Sequence, residues 1–95
     1  MNFKIEIMLN SELSNKDEKL IIERIIEYAH RIHLDTSYKG CVLYINGTGD
    51  LNDFARIAII ITCLKNQDWF TSNVKTWLLY DPDGGVEDIK KHYSI

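Results

Sequence analysis

Between Leu51 and Leu64 the chain carries Leu51, Phe54, Ala55, Ile57, Ala58, Ile59, Ile60, Ile61 and Leu64, apolar residues placed almost all the way round a helix. A helix without a polar side has no face to offer water, so it belongs in an interior. The rest of the chain must therefore supply a sheet against which this helix is deeply buried. The spacing predicts a helix capped by Asp50, with Asp53 in its first turn, running to about Asn66.

Around this segment, strand and helix patterns alternate. Phe3, Ile5, Ile7 and Leu9 alternate with Lys4, Glu6 and Met8, the period of a strand with one wetter face. Ser14 caps a second helical pattern, with Asp17 and Glu18 in the first turn and a stripe of Ile21, Ile22, Ile25, Ile26, Ala29 and Ile32. That pattern fades near His33, ahead of a predicted turn over Asp35–Lys39 and Gly40. Residues 41–45 form a continuous apolar run, read as a covered strand, and Val74–Tyr80 reads as a third. Asp81, Pro82, Asp83, Gly84 and Gly85 stop that strand, and residues 86–93 read as a last short helix. The order β-α-β-α-β-α predicts one α/β domain over residues 1–95, in two or three layers. Its sheet is expected to be three-stranded and mainly parallel, with right-handed crossovers.

Composition narrows the partners. Eleven Lys and Arg stand against 14 Asp and Glu, a formal charge of −3, which disfavours a protein that coats nucleic acid. The N-terminal segment, with Lys4 and Glu6, lacks the apolar run of a signal peptide, and no stretch reaches the roughly 18 apolar residues of a membrane span. Cys41 and Cys63 lie in apolar surroundings outside any cysteine framework and read as buried thiols. The expected compartment is the cytoplasm.

In a parallel α/β sheet, ligands gather beyond the carboxyl ends of the strands. That places Asp50, Asp53, Asp81, Asp83, Glu87 and Asp88, six of the 14 carboxylates, along one expected rim. Such a rim repels itself unless lysines, a divalent cation or a basic protein surface compensate it. The same residues also suit plain caps and turns. Asn46-Gly47-Thr48-Gly49 ahead of a helix could cradle a phosphate with its amides, although Asp50 and Asp53 would oppose the anion. His30 and His33 could share a helix face as metal ligands or sit at the edge of the apolar stripe. Trp77 reads as core, whereas Trp69 and Phe70 in a polar connector read as a lid on the second helix or an anchor for a protein contact.

Residues 45–89, from Ile45-Asn46-Gly47-Thr48-Gly49 through a helix to Leu78-Leu79-Tyr80-Asp81-Pro82-Asp83-Gly84-Gly85-Val86-Glu87-Asp88-Ile89, resemble the Toprim domain. The resemblance implies that Asp81 and Asp83 hold Mg²⁺ for phosphoryl-transfer or nuclease chemistry, with Glu12 displaced into the acid/base position. Toprim domains place Glu-Gly at the end of the first strand, where this chain has Asn10-Ser11-Glu12-Leu13.

Without a complete catalytic set, the expectation is a small cofactor-free inhibitor of the bacterial immunity or antitoxin type. It would neutralise a basic toxin, such as a nuclease, through its acidic surface, using the six carboxylates with Trp69 and Phe70. The alternatives are a Toprim-like Mg²⁺ enzyme and an α/β domain that oligomerises, as a homodimer, through an open sheet edge.

Overall fold

A computed structural model describes residues 2–95. The elements follow in the order β1 (Lys4–Leu9), α1 (Asn15–Arg31), β2 (Asp35–Lys39), β3 (Val42–Asn46), α2 (Asp53–Lys65), α3 (Asp68–Thr71), β4 (Val74–Tyr80), β5 (Val86–Asp88) and α4 (Ile89–His92). One sheet of five strands runs β2-β3-β1-β4-β5. Every neighbouring pair in it is antiparallel. The α/β character stands, but the expected three-stranded, mainly parallel sheet does not. β1 lies at the centre, so β3 and β4 run parallel to each other without touching. The chain forms two interleaved split β-α-β units, one through α1 and one through α2. A strand inserted between the members of each parallel pair is what the order of elements alone cannot reveal.

The two unpredicted strands are both edges. Asp-Thr-Ser-Tyr-Lys in β2 carries too little apolar alternation to read as a strand, yet it pairs along its length with β3. Gly40 at φ 63° and Cys41 close the hairpin, so Cys41 is exposed, contrary to the buried thiol expected, and Cys63 is half-buried. β5 pairs with Leu78–Tyr80 and takes residues 86–88 out of the expected helix, which shortens to α4.

Packing follows the strand period. Ile5, Ile7 and Leu9 of β1 join Leu43, Ile45, Val74 and Trp77 on one sheet face, under Ile21, Ile22, Ile25 and Ala29 of α1 and Ile57, Ile60, Ile61 and Leu64 of α2. Each Val, Leu or Ile among them contributes about 1.5–3 kcal/mol when removed from water. With both long helices on this face, the molecule has two layers. Ser14 caps α1 as expected, its hydroxyl accepting from the Asp17 amide at 3.1 Å. The Tyr38 hydroxyl donates to Glu18 at 2.6 Å and ties the edge strand to α1. That bond to Glu18, with partial burial, raises the Tyr38 phenol to about 12.

The second sheet face is half-buried and polar in places. Lys4 stands 5.2 Å from the Tyr44 ring and 4.8 Å from the Tyr80 ring, beside Glu6. Burial raises the Tyr80 phenol, and Glu6 raises it further.

α3 carries the connector aromatics inward. Phe70 is fully buried and meets Trp77 edge-on at 4.9 Å between ring centroids. Phe70→Ala is expected to cost about 3–5 kcal/mol, read as a lower urea midpoint with unchanged m.

Candidate functional site

β3 and β4 deliver their carboxyl ends to the same end of the sheet, even though the sheet is antiparallel. The loops after them, 47–52 and 81–85, therefore meet there, and Asp50, Leu51, Phe54 and Pro82 line one concavity of about 200 Å³ with Asn2 and Phe3. Of the six carboxylates expected along one rim, Asp50 and Asp53 border this concavity, Glu87 borders a neighbouring one, and Asp88 lines a separate one with Lys75, Lys90 and Lys91. The six also differ in what they do.

Asp53 turns inward. It is 4% exposed. Its carboxylate accepts from the Gly49 amide at 2.8 Å, the Thr48 amide at 3.2 Å and the Thr48 hydroxyl at 3.4 Å. The amides that looked suited to a phosphate are thus occupied by the chain's own anion, held at the positive end of α2. Burial alone would push the Asp53 carboxyl up. The Thr48 and Gly49 amides, the Thr48 hydroxyl and the Arg56 charge outweigh that and hold it below its ordinary value. Gly47 must be glycine, since a Cβ there would come within 2.7 Å of Asp53 Oδ2.

Of the remaining carboxylates Asp81 is half-buried and the other four are exposed. Asp50 is not the cap itself; Asn52 holds that position, and Asp50 accepts from the Asn52 amide at 2.7 Å while lying 3.7 Å from Arg56. Asp81 folds over the β4–β5 turn and accepts from the amides of Asp83 at 2.8 Å and Gly85 at 3.0 Å. Asp83 is exposed, and among the described residues nothing pairs with its carboxylate. Glu87 lies 3.2 Å from His92, and Asp88 caps α4 by accepting from the Lys91 amide at 3.1 Å.

These positions do not fit the metal that the Toprim resemblance implies. One oxygen of Asp81 already serves two amides. Glu12 follows the carboxyl end of β1, and β1 runs opposite to β4, with Lys4 beside Tyr80 and Leu9 beside Val74. Glu12 and Asp81 therefore stand at opposite ends of the sheet, separated by a six-residue strand, about 20 Å at 3.3 Å per residue. Among the described residues, no three His, Cys, Asp or Glu side chains converge on a point. His30 bonds Thr36 at 3.1 Å, and His33 takes φ 61° in the turn after α1. No helix among the described residues is long and apolar enough to cross a membrane.

The aromatic pair is not an exposed anchor either. Phe70 fills the core, and Trp69 is half-buried against α1 rather than α2, between Tyr28 at 6.0 Å and Arg24 at 5.3 Å. Among the described residues the most exposed aromatic is Phe54, at 70%, with Leu51 fully exposed beside it. Phe54 contacts Phe3 at 5.8 Å and also borders a second concavity, of about 280 Å³, with Glu87 and Tyr93. The signal for it was present in the all-round apolar helix, which reads equally as burial or as an uncovered face.

The chain matches no protein-family model, no curated protein and no solved structure.

Asp53→Asn removes a charged acceptor from two amides and is expected to cost about 1–3 kcal/mol at neutral pH. Because the native carboxyl titrates low, its stabilisation is present above the unfolded value near 4 and fades as pH falls through the native value. Thermal melts from pH 7 to 2 should show the Asn variant losing less stability than wild type over the acid limb.

Proposed function

We propose that this chain is a cytosolic binding protein of the inhibitor type, which docks a basic protein, such as a toxin nuclease, against the end of the sheet where loops 47–52 and 81–85 meet. One observation carries the reading: Phe54, 70% exposed, stands between two shallow concavities edged by Asp50 and Glu87, with Asp83 exposed on the neighbouring loop. An aromatic anchor inside a charged rim is the arrangement that concentrates binding energy at the centre and steers a partner from a distance. Asp53 is buried, while Asp83, unpaired among the described residues, together with Asp50, which also holds the Asn52 amide and Arg56, and Glu87, which also holds His92, are the exposed charges this surface presents to a partner's Lys and Arg. Trp69 and Phe70 drop out of the contact surface because they serve the core and α1.

The test uses the protein encoded beside this chain, purified and titrated against it by calorimetry at several salt concentrations. Phe54→Ala is expected to weaken the complex by tenfold or more, about 1.4 kcal/mol. Asp50→Lys with Asp83→Lys and Glu87→Lys should abolish it or flatten its salt dependence. Glu23→Lys on α1 should leave it unchanged. A complex indifferent to Phe54 and to all three reversals removes this end of the molecule from the mechanism.

A further inference from the structure

The outer side of β2 is an open backbone edge. Its register with β3 runs unbroken from Asp35 to Lys39, with no bulge and no proline. Thr36 and Tyr38, which lie opposite the buried Ile45 and Leu43 and so share their face, are uncharged. Sheets commonly block such edges with bulges, prolines or inward-pointing charges, and β2 has none of these. The two-residue turn at Gly40 and Cys41 makes Lys39 and Val42 a hydrogen-bonded pair, so the N–H and C=O groups of Asp35, Ser37 and Lys39 face β3. Those of Thr36 and Tyr38 consequently face outward. Their side chains are held on the helix side by His30 and Glu18, and among the described residues nothing bonds their backbone groups.

We propose that β2 pairs antiparallel with β2 of a second copy of this chain, about a two-fold axis at Ser37. The strand is self-complementary in that register. Thr36 lies opposite Tyr38 of the second copy and exchanges two backbone hydrogen bonds with it, and the axis repeats them. Asp35 lies opposite the second copy's Lys39, and Lys39 opposite its Asp35, at the positions where facing side chains come closest. Among the described residues, neither charge is engaged in an ion pair within its own chain. Tyr38, 43% exposed, gains Thr36 as a β-branched neighbour across the strands, a favourable combination.

Other pairings lose these contacts. A parallel arrangement in register sets Asp35 beside Asp35 and Lys39 beside Lys39. A one-residue slip sets the outward groups of Thr36 against a residue whose own groups face β3. The opposite charges of β2 thus select a register instead of blocking the edge. β5, the edge at the far side of the sheet, differs in this respect: its self-pairing sets Glu87 against Glu87 and offers no cation. The contact is isologous, as a two-fold contact must be. β3 and β1 separate β2 from β4, so the loops 47–52 and 81–85 stay open and the pairing does not rest on the inhibitor reading.

Sedimentation velocity on the full chain, from about 1 µM to about 300 µM, a range that brackets the affinity of a small interface, should show mass rising from 11.1 kDa toward twice that value. Asp35→Lys chains and Lys39→Asp chains should each dimerise about tenfold more weakly, because like charges then face each other twice. An equimolar mixture of the two should regain wild-type affinity, since every facing pair is again of opposite sign. Thr36→Pro removes an outward N–H that β3 does not use, and should hold the chain monomeric with unchanged circular dichroism. In a Cys41→Ser/Cys63→Ser background, Ser37→Cys should give a disulfide-linked dimer in air, its Cα atoms facing each other within the span a disulfide bridges. Leu20→Cys on α1 should not. A wild-type monomer at every concentration, the result if only a foreign strand adds to β2, overturns the proposal. So does a dimer that survives Thr36→Pro, a mixture no tighter than its two parents, or cross-linking that ignores position.

Discussion

The antiparallel pairing of β1 with both β3 and β4 is the constraint on which the rest depends. β1 exchanges backbone hydrogen bonds on both sides, and its Ile5, Ile7 and Leu9 form the middle of the face that both long helices cover. Because β3 and β4 each oppose β1, they run the same way, and their following loops emerge at the same end. α2 must then cross from one side of β1 to the other, which lays it over the sheet with one face in the core and the opposite face in water. The acidic end and the exposed Phe54 both result from that geometry.

At the start of α2, a backbone anion site is satisfied internally. A loop that presents amides at a helix N-terminus attracts negative charge, and here Asp53 supplies it from the first turn of the same helix. At Gly47 the loop passes so close to this carboxylate that a Cβ there would come within 2.7 Å of Oδ2. The hydrogen bonds to Asp53 tie the loop that carries Asp50 and Leu51 to the first turn of α2. Asp81 does similar work in the β4–β5 turn, holding Asp83 outward.

Much of the fold was legible where period and capping agree. The alternation of Ile5, Ile7 and Leu9, the Ser14 cap and the stripe of α1, and the apolar runs of β3 and β4 all appear where their patterns place them. The failures share a cause. β2 and β5 are edge strands held by backbone pairing on one side, and such pairing leaves little trace in side-chain pattern. Asp81-Pro82-Asp83-Gly84-Gly85 suits a metal loop or a hairpin turn equally, and the pairing of Tyr80 with Val86 is what makes it a turn. Trp69 and Phe70 could face either way from a connector, and the space beside Trp77 and α1 decided their direction.

By itself, the sequence determined that the apolar segment after Asp50 would be a helix against a sheet, since its length and its acidic start outweigh the strand preference of its isoleucines, and that acidic residues would collect in the loops after β3 and β4. Only the tertiary structure decided which side of that helix would be left open. Burial is a property of neighbours: with β1 inserted between β3 and β4, a two-layer molecule has sheet below α2 and nothing above it. The apolar residues that appeared to demand complete burial are divided between a core and a surface.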